Sequence, residues 1–264
     1  MNKKRFASFL ESALLINGIR ALVVVFIAIG LELGVSKGVL DQIFFSSPTS
    51  IYEAFIGMVR SGKLQTHVWT TFYEVTLGFA AGAILGTICG LLLSRLRLVA
   101  QVIVPFFLMV YGLPSIVLAP LFILWFGIGV LSKVAICIYV IFFAVFISVY
   151  MGALYTDEEL VDAVKVMGAS PRQLFLKVIL PATAPNIYAA LKLGIGLALI
   201  GAIAGEFIAA RAGLGFMIFY ATGTLDTPTV YLGIIILALF SLVLQGGVNI
   251  LGRALVRWKF HDEK

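Results

Sequence analysis

The chain is 264 residues long, 61% hydrophobic and only 12% charged, with a formal net charge of +6. Soluble domains carry about 25% charged residues, so this balance excludes an ordinary soluble enzyme and points to a membrane protein. Cys89 and Cys137 both lie in apolar runs and read as small packing residues, and His67 and His261 are far apart with no cysteine beside them, which argues against a disulfide framework or a zinc site.

A spanning helix needs roughly 20 mostly apolar residues, because backbone polar groups in lipid must be satisfied within the segment. Six stretches qualify, at about 19–34, 70–93, 99–122, 130–154, 184–209 and 230–251. The expected class is all-α: a cytoplasmic N-terminal segment at 1–18 followed by a six-span membrane domain at 19–264. An even number of spans puts both termini on one side. Lys3, Lys4, Arg5, Arg20, Arg95, Arg97, Lys165, Arg172, Lys177, Lys192, Arg253, Arg257, Lys259 and Lys264 collect there, fourteen of the 19 basic residues. Lys37, Arg60, Lys63, Lys133 and Arg211 fall on the other side, so the termini are expected in the cytoplasm.

The first span follows Lys3-Lys4-Arg5 as a signal peptide would, but it is longer than a typical signal core and no strong A-x-A site follows, so a retained helix is expected. After it, Gly57-Met-Val-Arg-Ser-Gly-Lys63 matches the spacing of a phosphate-binding loop, yet Leu64 occupies the position where magnesium needs Ser or Thr. The match is read as chance.

In the second span Gly78, Gly82, Gly86 and Gly90 recur every four residues, laying a smooth stripe on which another helix can pack closely. Glu32 and Glu74, near the outer ends of their spans, are expected to reach water. Pro105, Pro114 and Pro120 predict kinks in the third span, and Tyr111-Gly-Leu-Pro-Ser115 could line a path there. In the fifth span Lys192 can snorkel to the inner surface. Glu206, followed by Arg211 and Ala212-Gly-Leu-Gly215, is the candidate for a mouth or gate residue, against the plainer reading of a solvated or Arg-paired carboxylate.

The segment 156–181, TDEELVDAVKVMGASPRQLFLKVILP, interrupts the apolar pattern. Thr156 with Glu159 predicts one capping box, and Ser170 with Gln173, with Pro171 at the first helical position, predicts another. Leu160, Ala163, Val164 and Met167 share one face, Gly168 ends the first helix and Pro181 is expected to close the second. A connector needs only a few residues, and a DNA-binding role does not suit a turn anchored between two spans. Doubly capped amphipathic helices suit docking into another protein's groove.

Asp162-Ala163-Val164, three residues, Gly168, nine residues and Val178-Ile179-Leu180-Pro181 resembles the EAA loop of ABC importer permeases. Asp and two Val replace the usual Glu, Ala and Ile at intact spacing. Phe45-Ser-Ser-Pro-Thr49, Leu113-Pro-Ser115, 120–129, Gly168-Ala-Ser170, Leu180-Pro-Ala182 and Gly213-Leu-Gly215 are similar to the nitrate/sulfonate/taurine branch. The resemblance implies a type I, MetI-like permease fold in the bacterial inner membrane. It implies that Asp162, Ala163, Val164, Met167, Gly168, Ala169, Ser170, Leu180 and Pro181 couple to an ATPase. It further implies two ATP-binding subunits that bind ATP and magnesium, with no cofactor in this chain, a second permease chain that makes a homodimer, and a periplasmic or lipid-anchored binding protein. Tyr111, Pro114, Ser115, Glu206 and Arg211 are its candidate path and gate residues. Glu74 stands where many sulfonate-type members carry Arg, which keeps pyrimidine precursors or other small metabolites open as cargo. The alternative is a stand-alone transporter driven by protons or sodium through Glu206 or Glu74, though no internal repeat supports it.

Overall fold

The computed structural model describes residues 3–256, all of whose regular elements are helices; Arg257, Lys259, His261 and Lys264, which entered the reading above, lie outside them. Two compact units are present: residues 1–64 with 218–234, and residues 65–217 with 235–264.

In the first unit, α1 (Lys3–Ser36) is one continuous helix, with no break near residue 18, and α2 (Pro48–Arg60) is a short amphipathic helix. Ser47 caps α2 through its hydroxyl, with Pro48 at the first helical position. Glu32 does not simply face water as expected. Its carboxylate accepts from the Thr49 amide (3.1 Å) and hydroxyl (2.6 Å), so α1 contributes a second acceptor to the exposed amides of α2. The Gly57–Lys63 stretch lies in the end of α2, a turn and the start of the next helix, without the strand that a phosphate-binding loop follows.

The second unit is built around α3 (Lys63–Leu93), α6 (Val130–Leu154) and α9 (Leu180–Ala209). The glycine stripe of α3 lies against α6 in register: a methyl group placed on Gly82 would meet Ile141 Cβ at 2.8 Å, on Gly86 the Phe142 carbonyl at 2.6 Å, and on Gly90 the Phe146 carbonyl at 3.0 Å. Both numberings rise together, so α3 and α6 run parallel. On α9, Gly194 faces Ile141, Gly201 faces Cys137 and Gly205 faces Lys133, so α9 runs antiparallel to α6. Val75, Cys137, Ile141, Val145, Val149, Ile195 and Ala198 fill the shared core. Close backbone approach substitutes for large side chains, as membrane helices require.

Between α3 and α6 the third expected span is two helices, α4 (Arg97–Tyr111) and α5 (Ser115–Phe126), bent by 99°. The break lies at Gly112-Leu-Pro114, whereas Pro105 and Pro120 sit inside continuous helices. Pro114 cannot continue the α4 ladder, and the Tyr139 hydroxyl from α6 approaches the Val110 (2.6 Å) and Leu113 (2.9 Å) carbonyls at the break. The bent pair still crosses the bundle. It starts beside Arg95, which touches Pro171 and Phe175, and ends at Ile128–Val130, beside Glu74 and Ala210 at the opposite end. With α11 (Thr227–Leu255), five long apolar helices and this pair make the six expected crossings.

Candidate functional site: a docking loop and a polar mouth

At one end of the second unit, α7 (Glu158–Val166) and α8 (Pro171–Leu174) form the expected docking element. Its first cap is displaced from the expectation: Asp157 accepts from the Glu159 amide at 2.9 Å, while Thr156 turns its hydroxyl back to Gly152 and Ala153. Asp157 directly precedes Glu158, so the charged acceptor nearer the helix takes the capping role. The second box is present in full: Gln173 Oε1 accepts from the Ser170 amide at 2.8 Å and Ser170 Oγ from the Gln173 amide at 3.3 Å. Gly168 carries φ +80°, the left-handed conformation that lets the chain leave α7.

The end of the loop differs from expectation. Pro181 does not close a helix; α8 passes through a π-helical turn at Phe175–Ile179 straight into α9, with Leu180 and Pro181 as its first residues. Pro181 has no amide to donate, which favours the wider turn before it. Val178 of this turn is buried while Leu176 is exposed, so the turn packs one side on the bundle.

No residue of α7 is buried. Leu160 is 48%, Val166 89% and Met167 84% exposed, and Ala163 is exposed beside them. Asp162 and Lys165 pair at 2.9 Å on the helix rim. An uncovered apolar stripe with a charged rim on a capped helix is the surface pattern seen in helix-in-groove recognition. Arg95, from the turn after α3, stacks on Phe175 at 3.6 Å and donates to the Pro171 carbonyl at 3.3 Å, tying the loop to the bundle.

At the other end, a polar cluster joins α3, α6, α9 and the turn leading into α10 (Leu214–Gly223). Glu206 is buried, not solvated and not paired with Arg211; it accepts from the Thr71 hydroxyl at 2.6 Å and the Gly215 amide at 2.5 Å. Thr71 in turn accepts from the Leu214 amide at 2.7 Å, and His67 Nδ1 accepts from the Gly213 amide at 3.1 Å. The turn folds so tightly around the carboxylate that a methyl group on Gly215 would lie 2.7 Å from Glu206 Oε2, and Gly213 takes φ +124°. Glycine is needed here for both room and conformation.

Glu74 also departs from expectation: it is 2% exposed and lies beside Glu206, away from water. Lys133, which the charge count assigned to the outer side, is equally buried in the first turn of α6, where its Nζ donates to the Ala209 carbonyl at the end of α9. A cation there satisfies the carbonyl that a helix C-terminus leaves open. Arg211 stands exposed at the rim. Sequence reasoning found Glu206 and Arg211 but missed Lys133 and Thr71; for Thr71, the spacing of four and then three residues from His67 through Thr71 to Glu74, on one helical face, was the available signal.

Of the remaining path candidates, Tyr111, Pro114 and Ser115 meet at the α4–α5 break, apart from this cluster. Tyr111 and Pro114 are exposed and Ser115 half-buried. α5 begins there with no side-chain cap.

The family described as "Binding-protein-dependent transport system inner membrane component" matches residues 82–257. The formylaminopyrimidine transport permease protein ThiX of Halalkalibacterium halodurans is 32% identical over 74% of this chain and 78% of its own length. The taurine transport system permease protein TauC of Escherichia coli is 28% identical over 83% of this chain and 82% of its own. A crystal form of the inward-facing MetNI methionine ABC transporter superposes with a TM-score of 0.65 at 19% identity, covering 74% of this chain and 97% of that one, a likeness of fold.

Proposed function

Because the chain belongs to the family of binding-protein-dependent transport system inner membrane components and is the permease component of an ABC importer, we propose that it forms half of a two-chain pore driven through α7. The uncovered stripe of Leu160, Ala163, Val166 and Met167 carries this reading. It inserts into a groove of an ATP-binding subunit, which supplies ATP and magnesium, so the chain itself is a transport subunit without catalysis. A second copy covers part of the exposed apolar surface, and a separate binding protein delivers a small solute at the end of the bundle away from α7. The basic residues near α7 support a cytoplasmic position for that end, in a chain that works in the bacterial inner membrane.

Closure of two ATP-binding subunits draws the two α7 helices together. Arg95, Phe175 and the π-helical turn pass the displacement to α3 and α9. Motion follows only if the nucleotide-bound partner holds one arrangement of the loop better than the other. The break at Tyr111, Pro114 and Ser115 lies on the path of the solute, and Glu206 acts at the mouth by holding the turn that leads into α10.

A discontinuous helix and buried carboxyls also occur in ion-coupled transporters, but α7 has no use in a stand-alone protein. Vesicles containing the chain with its ATP-binding subunits and binding protein are expected to take up solute only with ATP. Uptake by the chain alone, driven by a proton or sodium gradient, would overturn the proposal.

A further inference from the structure

Helix α10 starts without a side-chain cap of its own. Gly213, whose carbonyl accepts the first helical bond from the Met217 amide at 2.9 Å, stands at the N-cap and has no side chain to offer. The amides that a helix start leaves open are instead taken in succession by groups distant in sequence: Gly213 by His67 Nδ1 at 3.1 Å, Leu214 by Thr71 Oγ1 at 2.7 Å and Gly215 by Glu206. His67 and Thr71 are four residues apart on α3 and so share one face of it. The start of α10 is therefore held from α3.

His67 differs from the other two acceptors in what a proton does to it. An imidazole nitrogen accepts a hydrogen bond only while unprotonated, and in the imidazolium both nitrogens are donors. A proton added at Nδ1 sets donor against donor, and the Gly213 amide loses its partner. A cation here also opposes the positive end of the α10 dipole. The His67 ring is half-buried, 6.0 Å from that of Phe216 between centroids, and stands three residues before the apolar stretch that begins near residue 70, within reach of water.

The other charged groups at this end are Lys63 one turn earlier on α3, Glu74 on α3, Glu206 on α9, Lys133 on α6 and Arg211 in the turn. Histidine is the side chain whose charge ordinarily changes between about pH 5 and 8. The adjacent carboxyls of Glu74 and Glu206 also bind protons and bear on the same turn through Gly215, so the two sources must be separated.

We propose that neutral His67 is a positioning residue of the mouth, which holds the start of α10 against α3 and lets go of it in acid on that side of the membrane. This rests on reading the turn as part of the transport path; the hydrogen bond and its loss on protonation do not.

The test is hydrogen exchange of the amides at 213–215 in the complete transporter in lipid nanodiscs, corrected for intrinsic exchange, from about pH 8 to about pH 5. Wild-type protection is expected to fall about threefold or more across that range, the loss of one hydrogen bond. His67→Asn, whose amide oxygen takes the place of Nδ1 and does not titrate, should stay protected throughout. His67→Phe, which keeps a ring against Phe216 and has no acceptor, should be poorly protected throughout. ATP-driven uptake by proteoliposomes acidified on the side of the mouth should fall more in the wild type than in His67→Asn. Wild-type protection that does not change with pH overturns the proposal, as does a pH step that persists in His67→Asn, which assigns it to the carboxyls. Uptake that responds to acid equally in both proteins also overturns it. If His67→Phe fails to fold, the wild-type profile and His67→Asn still decide. Absence of ATP-driven uptake at every pH, with exchange as expected, counts against the importer reading and leaves the hydrogen bond standing.

Discussion

Arg95 stacks its guanidinium 3.6 Å over the ring of Phe175, joining the turn that ends α3 to the π-helical turn that begins α9. The same guanidinium donates to the Pro171 carbonyl. Under the proposed function, a displacement of the α7–α8 segment would therefore reach α3 and α9 together, two of the three helices that build the second unit.

Arg95→Ala removes both contacts. A cation–π contact and a charged hydrogen bond at an exposed site are together worth about 1–2 kcal/mol. The chain should still fold and assemble, while solute transported per ATP hydrolysed falls several-fold. Arg95→Lys, which keeps the charge but loses the planar stack, should recover only part of it. Measured transport-to-hydrolysis ratios check both.

Gly168 holds φ +80° with open space around its missing side chain, so only backbone strain opposes substitution. Gly168→Val should cost about 1–2 kcal/mol in the turn and lower ATP-dependent uptake, with thermal unfolding of the spans nearly unchanged. Gly168→Asn should be milder, because Asn tolerates this conformation. Uptake assays beside unfolding curves distinguish a local defect from a global one.

The glycine stripe makes the opposite prediction. A methyl group at Gly86 meets the Phe142 carbonyl at 2.6 Å, so α3 and α6 must separate. Overpacking of this kind costs about 1–3 kcal/mol, and Gly86→Ala should lower the unfolding midpoint by several degrees. Gly196→Ala meets nothing within 4 Å and should leave the midpoint unchanged or raise it.

At the mouth, Glu206→Gln should loosen the turn at Gly213–Gly215. Removing a charged acceptor from a buried amide costs about 1–3 kcal/mol, which corresponds to amide exchange faster by roughly five- to a hundredfold. Hydrogen exchange of Leu214 and Gly215 is the measurement. Unchanged exchange would mean that Thr71 and His67 hold the turn without Glu206.

Span number, the α3 stripe, the second capping box and the left-handed Gly168 were legible in the sequence because each rests on local spacing or on one residue's conformational range. The Thr156 cap was misplaced because Asp157 offers a competing acceptor one residue on. The 99° break was placed loosely because three prolines share one span, and only the Tyr139 hydroxyl, distant in sequence, marks where the break falls. Glu74 was expected near water, and Lys133 was only counted among the outer-side charges, because hydropathy locates a residue along a helix and says nothing about what faces it. Helix α10 is too short to register as a span, and its anchoring depends on Glu206 and Thr71, which lie far apart in the chain.

The docking of α7 is tested most directly by a single thiol at its exposed tip. Val166→Cys in the complete transporter should be shielded from a membrane-impermeant maleimide when the ATP-binding subunits are present, react freely when they are stripped away, and cross-link to them under mild oxidation if a cysteine lines the facing groove. Equal labelling with and without those subunits, or labelling only from the exterior, would contradict it.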